Sequence, residues 1–85
     1  MTTRQEISEW FDAGVAQNAT HMIVICDTFD MSDYPVYVYP GEDVHEKVRD
    51  NVVNMQMLVE VYALHLFKDT QMNEFRAHHY ESPPQ

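Results

Sequence analysis

Eighty-five residues with 45% hydrophobic and 12% aromatic content suffice for one small domain with a true core, and exclude a disordered chain. The single cysteine, Cys26, excludes an internal disulfide and fits a reducing compartment. The formal net charge is −9, and no basic residue lies between Arg4 and Lys47, so the first half repels phosphate and disfavours direct nucleic-acid binding.

Taken in chain order, Thr3-Arg4-Gln5-Glu6 has the form of a capping box, in which Thr3 and Glu6 satisfy each other's backbone donors. Ile7, Trp10, Phe11, Gly14 and Val15 follow at helical spacing, which predicts a helix over 4–17 with Asn18 as a left-handed cap. His21 to Cys26 is a short, nearly unbroken apolar run, as expected of a central strand covered on both faces. Pro35 to Pro40 alternates, placing Val36 and Val38 on one side and Tyr37 and Tyr39 on the other. The polar stretch between these runs has hairpin length, so antiparallel pairing is expected.

Pro40-Gly41 signals a turn, and Glu42 and Asp43 suit the first turn of a second helix. Val44, Val48, Val52, Met55, Val59, Tyr62 and Leu66 then step by threes and fours, predicting a long helix over 42–67. A break at Asn51 or Asn54 is the alternative. At 1.5 Å per residue the helix would be roughly 39 Å long, against about 30 Å for a compact chain of this size. Its apolar latter half would need a cover, so a homo-oligomer is expected, most simply a dimer. Its interface would be Val52, Met55, Leu58, Val59, Tyr62 and Leu66. A last short helix is expected within 71–79, with Met72, Phe75 and His79 inward, before a flexible tail over 81–85. The fold class is therefore α+β, as helix–hairpin–long helix with a short C-terminal helix in one domain over 1–80.

Candidate chemistry is sparse. Asp27 and Asp30 lie beyond a buried strand as in aspartate-nucleophile phosphatases, but the acids are three residues apart and no distal lysine or acidic pair accompanies them. Asp27, Asp30 and Asp33 lack the glycine and the final glutamate of a calcium loop, and turn capping explains them as well. The five histidines show no zinc spacing. Neither a metal nor a cofactor is expected, and an enzyme is disfavoured. Tyr34, Tyr37 and Tyr39 could instead stack a base or anchor an interface. The N-terminal stretch has no apolar run behind Arg4, and Val52 to Phe67 is interrupted by Asn54, Gln56, Glu60 and His65. No secretion signal or membrane span is expected, and the chain is placed in the cytoplasm.

The stretch Ala19-Thr20-His21-Met22-Ile23-Val24-Ile25-Cys26-Asp27-Thr28-Phe29-Asp30, with Asp33-Tyr34-Pro35-Val36-Tyr37-Val38 after it, resembles small uncharacterised proteins of bacteria and their phages. The resemblance continues through Asn54-Met55, Glu60-Val61-Tyr62 and Asn73 to Ala77. It implies a mobile-element setting, in which small acidic proteins bind and block host defence factors. The expected function is a non-enzymatic binding protein that meets a basic protein surface through Asp27, Thr28, Asp30, Asp33, Tyr34, Tyr37 and Tyr39. A binder that sequesters a small nucleotide through the same residues is the alternative, and an accessory subunit a third.

Overall fold

In a computed structural model that describes residues 2–83, the chain runs α1 (Arg4–Ala16), β1 (His21–Asp27), β2 (Ser32–Val38), α2 (Val44–Asn51), β3 (Gln56–Ala63) and α3 (Lys68–Met72). The three strands form one antiparallel sheet in the order β2-β1-β3. The α+β class is as expected. Since β2 and β3 both oppose β1, they run parallel to each other, and α2 is the crossover between them.

The capping box at Thr3 is formed, with the Glu6 amide donating to Thr3 Oγ1 at 3.1 Å and the Thr3 amide to Glu6 Oε1 at 3.3 Å. At the other end Asn18 takes φ 62°, and the amides of Asn18 and Ala19 donate to the carbonyls of Val15 and Gly14. That pair of bonds is a Schellman cap, which returns the chain directly into β1.

Every residue of β1 from His21 to Cys26 is buried. Met22 and Val24 face α1, where they meet Ile7, Phe11, Tyr62 and Leu64. Ile23 and Ile25 face α2, where they meet Val38, Val44 and Val61. Burying one such side chain contributes about 1.5–3 kcal/mol, so both helices are held mainly by this strand. Strand β2 is an edge strand and begins at Ser32, three residues before the expected start. Pro35 is tolerated inside it because an edge strand leaves alternate amides without a ladder partner.

The long helix is not formed. Asp43 caps α2, whose side chain accepts from the Glu46 amide at 3.1 Å, but the helix ends at Asn51 and Asn54 turns the chain at φ 56°. The apolar run beyond is β3, paired to β1 with a bulge that lets Ile25 oppose Leu58 and Val24 oppose Glu60. The expected interface set is thereby dispersed. Val52 and Leu58 pack on the α2 side, Val59 and Tyr62 on the α1 side, and Tyr62 is wholly buried. Only Met55 and Leu66 of that set remain exposed, and they lie in different turns. Most of β3 is covered by the chain itself, and no long helix remains for a second copy to cover. No described helix is long and apolar enough to cross a membrane.

The final helix is shorter and earlier than expected. Lys68 and Asp69 start it rather than break it, Phe75 is 92% exposed, and His79 lies beyond it. Gln71 is the residue α3 buries: its amide donates to the Ala63 carbonyl at 2.9 Å and its carbonyl accepts from the Ala63 amide at 2.8 Å. Of the expected tail, Glu81 carries backbone contacts described below, while residues 84–85 lie outside the described residues.

A buried carboxylate joins distant parts of the chain. Glu60 Oε1 accepts from Arg4 Nη1 at 3.1 Å and from the Tyr62 hydroxyl at 2.8 Å, and Oε2 accepts from the Ala77 amide at 3.3 Å. Burial, then the neighbouring Glu60, pushes the Tyr62 hydroxyl far above the usual tyrosine pKa, so it stays a donor. Glu60→Ala strands these donors and is expected to cost about 2–4 kcal/mol in denaturant unfolding. Gly14 lets α1 approach the sheet, since an added Cβ would lie 2.7 Å from both Leu64 Cδ1 and Tyr37 Cε1. Gly14→Ala gains helix propensity of at most about 1 kcal/mol but overpacks this contact. A net loss of about 1–2 kcal/mol is expected in the same measurement.

Candidate functional site

The loop between β1 and β2 and the turn between α2 and β3 meet at one pole of the sheet. The Thr28 amide donates to the Met55 carbonyl at 2.8 Å, and the Thr28 hydroxyl donates to the same oxygen. Within the loop, Asp27 Oδ1 accepts from the Phe29 amide at 2.9 Å, and the Met31 amide donates to the Asp27 carbonyl at 2.7 Å. Asp30 Oδ1 accepts from the Ser32 amide at 3.0 Å and from the Ser32 hydroxyl at 2.7 Å. Asp27 and Asp30 therefore shape the loop by side-chain turns, each with one carboxylate oxygen.

That shaping holds large apolar side chains in water. Phe29 is 79% exposed, Met31 66%, Met55 50% and Met57 46%, with Val53 beside them in the turn. Met31 takes φ 59° and Asn54 φ 56°, the left-handed region that costs a bulky side chain free energy. A shallow cleft of about 300 Å³ adjoins the loop, lined by Thr2, Glu6, Asp30, Met31, Ser32 and Asp33. The pole thus combines an apolar centre with an acidic border. The Ser32 hydrogen bonds hold the Asp30 carboxyl below the usual carboxylate range, so it stays charged.

Asp27, Thr28, Asp30 and Asp33 come together here, as expected of one loop. The three tyrosines do not. Tyr34 packs on the α2 side, whereas Tyr37 lies on the α1 side and donates its hydroxyl to the Trp10 carbonyl at 2.7 Å. Tyr39 donates to Gln17 Oε1 at 2.7 Å, near the far end of α1. They offer no shared face on which a base could stack. The acids do not converge on a cation either: among the described residues no group of three or more His, Cys, Asp or Glu is placed to hold a metal ion. Phe29 and Met31 were the missed signal, two bulky apolar residues alternating with acids in a loop that hydrophilic turn residues would serve as well.

The opposite pole carries a cleft of about 490 Å³ between the Pro40–His45 turn and the C-terminal segment, reached by Thr20, His21, Tyr80, Ser82 and Pro83. His45 stacks on Tyr80 with ring centroids 4.4 Å apart, and His21 meets His65 edge-on at 5.9 Å. His65 Nδ1 is buried without a hydrogen-bond partner among the described residues.

No protein-family model matches the chain, and no curated protein or solved structure is significantly similar to it.

Cys26 faces Met57 and Asp33 across the sheet and is buried. Burial pushes its thiol pKa up, and Asp33, Asp27 and Asp30 push in the same direction. Labelling by a disulfide reagent at pH 7 is expected to be at least about 100-fold slower than for a free exposed thiol. Unfolding in denaturant should restore the fast rate.

Proposed function

We propose that this chain is a non-enzymatic binding protein that engages a basic surface of another protein through the pole formed by Thr28–Met31 and Val53–Met57. One observation carries this reading: exposed Phe29, Met31, Met55 and Met57 share a pole with Asp27, Asp30 and Asp33 and with Glu6 of α1. Exposed apolar side chains in a rigid, hydrogen-bonded loop supply desolvation energy, and methionine adapts to uneven partner surfaces. The carboxylates around them select basic partners and speed encounter. The resemblance to small proteins of bacteria and phages supports a host defence factor as that partner, met in the cytoplasm. Inhibition would then be steric, by occupying a basic cleft.

The test is capture from a host lysate with the wild-type chain and two variants. Phe29→Ser with Met55→Ser removes the apolar centre. Asp27→Asn with Asp30→Asn and Asp33→Asn removes the charge but keeps oxygens that can cap the loop. Both variants are expected to keep the melting temperature and to weaken capture of the specific protein by about 30-fold or more, the scale of a hot-spot loss. For the wild type, capture should fall as salt rises. A partner retained equally by all three chains would remove the pole from the reading, and salt-independent capture would remove its electrostatic part.

A further inference from the structure

Beyond α3 the chain returns along the outer edge of β3. The Val61 amide donates to the Ala77 carbonyl at 2.8 Å, and the His79 amide donates to the Val61 carbonyl at 3.0 Å, a parallel bridge with His78 opposite Val61. These are few backbone bonds for a segment that closes a sheet edge. Ala77 is anchored by burial in the core and by its amide donating to Glu60 Oε2 at 3.3 Å, Tyr80 packs on the α2 side, and histidine side chains add the polar contacts beyond Ala77. His21 Nε2 lies 2.8 Å from the Glu81 carbonyl, and His79 lies between two carboxylates, with Nε2 2.6 Å from Glu74 Oε1 and Nδ1 3.3 Å from Glu81 Oε2. His45 stacks on Tyr80.

The two hydrogen-bonding histidines sit in opposite surroundings: His21 is buried beside the His65 ring, which disfavours charge, and His79 is flanked by two carboxylates, which favour it. A carbonyl only accepts, so His21 Nε2 carries the proton. The Thr20 hydroxyl lies 2.9 Å from Nδ1 and 3.1 Å from the Val38 carbonyl, and in the neutral ring its one proton goes to Nδ1 while that carbonyl keeps the Thr20 amide at 2.7 Å. His79 faces an acceptor at each nitrogen, which only the doubly protonated ring satisfies.

We propose that Ala77–Glu81 is a pH-set strap over the β3 edge, locked when His21 is neutral and His79 is charged, and loosened when either changes state. The charged and titratable groups around His21 are His65 from the turn after β3, His45 from α2 and Glu81 from the strap itself. Around His79 they are Glu74 and Glu81.

Burial lowers the His21 pKa from its ordinary 6.5, and the neighbouring His65 and His45 act in the same sense against the bond to Glu81. Its contribution is therefore whole above about pH 6.5 and lost as pH falls through the lowered folded value. For His79, burial opposes the charge but is outweighed by hydrogen bonds and charge from Glu74 and Glu81, so its pKa is raised from 6.5. That contribution is whole below about pH 6.5 and lost as pH rises through the raised folded value. Strap closure thus peaks around the ordinary imidazole pKa and declines on both sides. Opening uncovers the amide and carbonyl of Val61, a strand edge available for pairing.

The experiment is amide hydrogen exchange of Val61 and His79 in the full chain between about pH 5 and 8.5, corrected for the intrinsic rate. Protection is expected to be greatest near the middle and to fall about threefold or more at each limit. In Glu74→Gln with Glu81→Gln, the first half-buried and the second exposed, the alkaline decline should vanish while the acid decline remains. His21→Gln should remove the acid decline. Should that variant fail to fold, imidazole chemical shifts in the wild type decide, with His21 expected to titrate below and His79 above the unfolded ring. A flat wild-type profile, an alkaline decline that survives the double substitution, or two rings titrating together would overturn the proposal.

Discussion

Met22, Ile23, Val24 and Ile25 have no exposed surface, and four consecutive residues can be hidden in a strand only if both of its faces and both of its edges are covered. In so short a chain that condition dictates the rest. Each face takes a helix, α1 with Ile7 and Phe11 on one side and α2 with Val44 on the other. Each edge takes a strand. The hairpin supplies β2 locally, and the crossover through α2 supplies β3. Gly14, the Asn18 cap and the turn at Gly41 bring those covers close enough.

The local devices were legible in the residues themselves. The Thr3 capping box, the Asn18 cap, the doubly covered β1 and the opposite faces of Val36 and Tyr37 all follow from short-range chemistry, and all are present. The third strand was not legible. Val52, Met55, Val59, Tyr62 and Leu66 keep helical spacing by coincidence, and the bulge near Val59 breaks the alternation that would have marked a strand. Glu60 compounds the difficulty: an acid within an apolar run looks like a solvent-facing helix position, yet it is buried because Arg4, Tyr62 and the Ala77 amide satisfy it. Those partners are far apart in sequence, so no local pattern could disclose them.

The candidate site was half legible for a related reason. Clustered acids in one loop can be read from the chain, and Asp27, Asp30 and Asp33 do lie together near the exposed loop. Which apolar side chains remain in water depends on where the α2–β3 turn lands; the alternative break at Asn51 or Asn54 marks that turn, but nothing local shows that it lies against the β1–β2 loop. Met55 in that turn and Met57 at the start of β3 thus border the Asp27–Asp33 loop instead of lying along a helix. The tyrosines failed as a group because strand alternation separates Tyr34 from Tyr37, and because Tyr39 lies past the end of the sheet.

The Glu60 carboxylate also bears on how the chain is made. Arg4 emerges from the ribosome well before the residues it clasps, Glu60, Tyr62 and the Met72 carbonyl. Until β3 is out of the exit tunnel, β1 has one bare edge and a partly uncovered face. The nascent chain must therefore carry its stickiest segment unguarded until β3 and the residues after it have emerged, and native closure waits on that stretch.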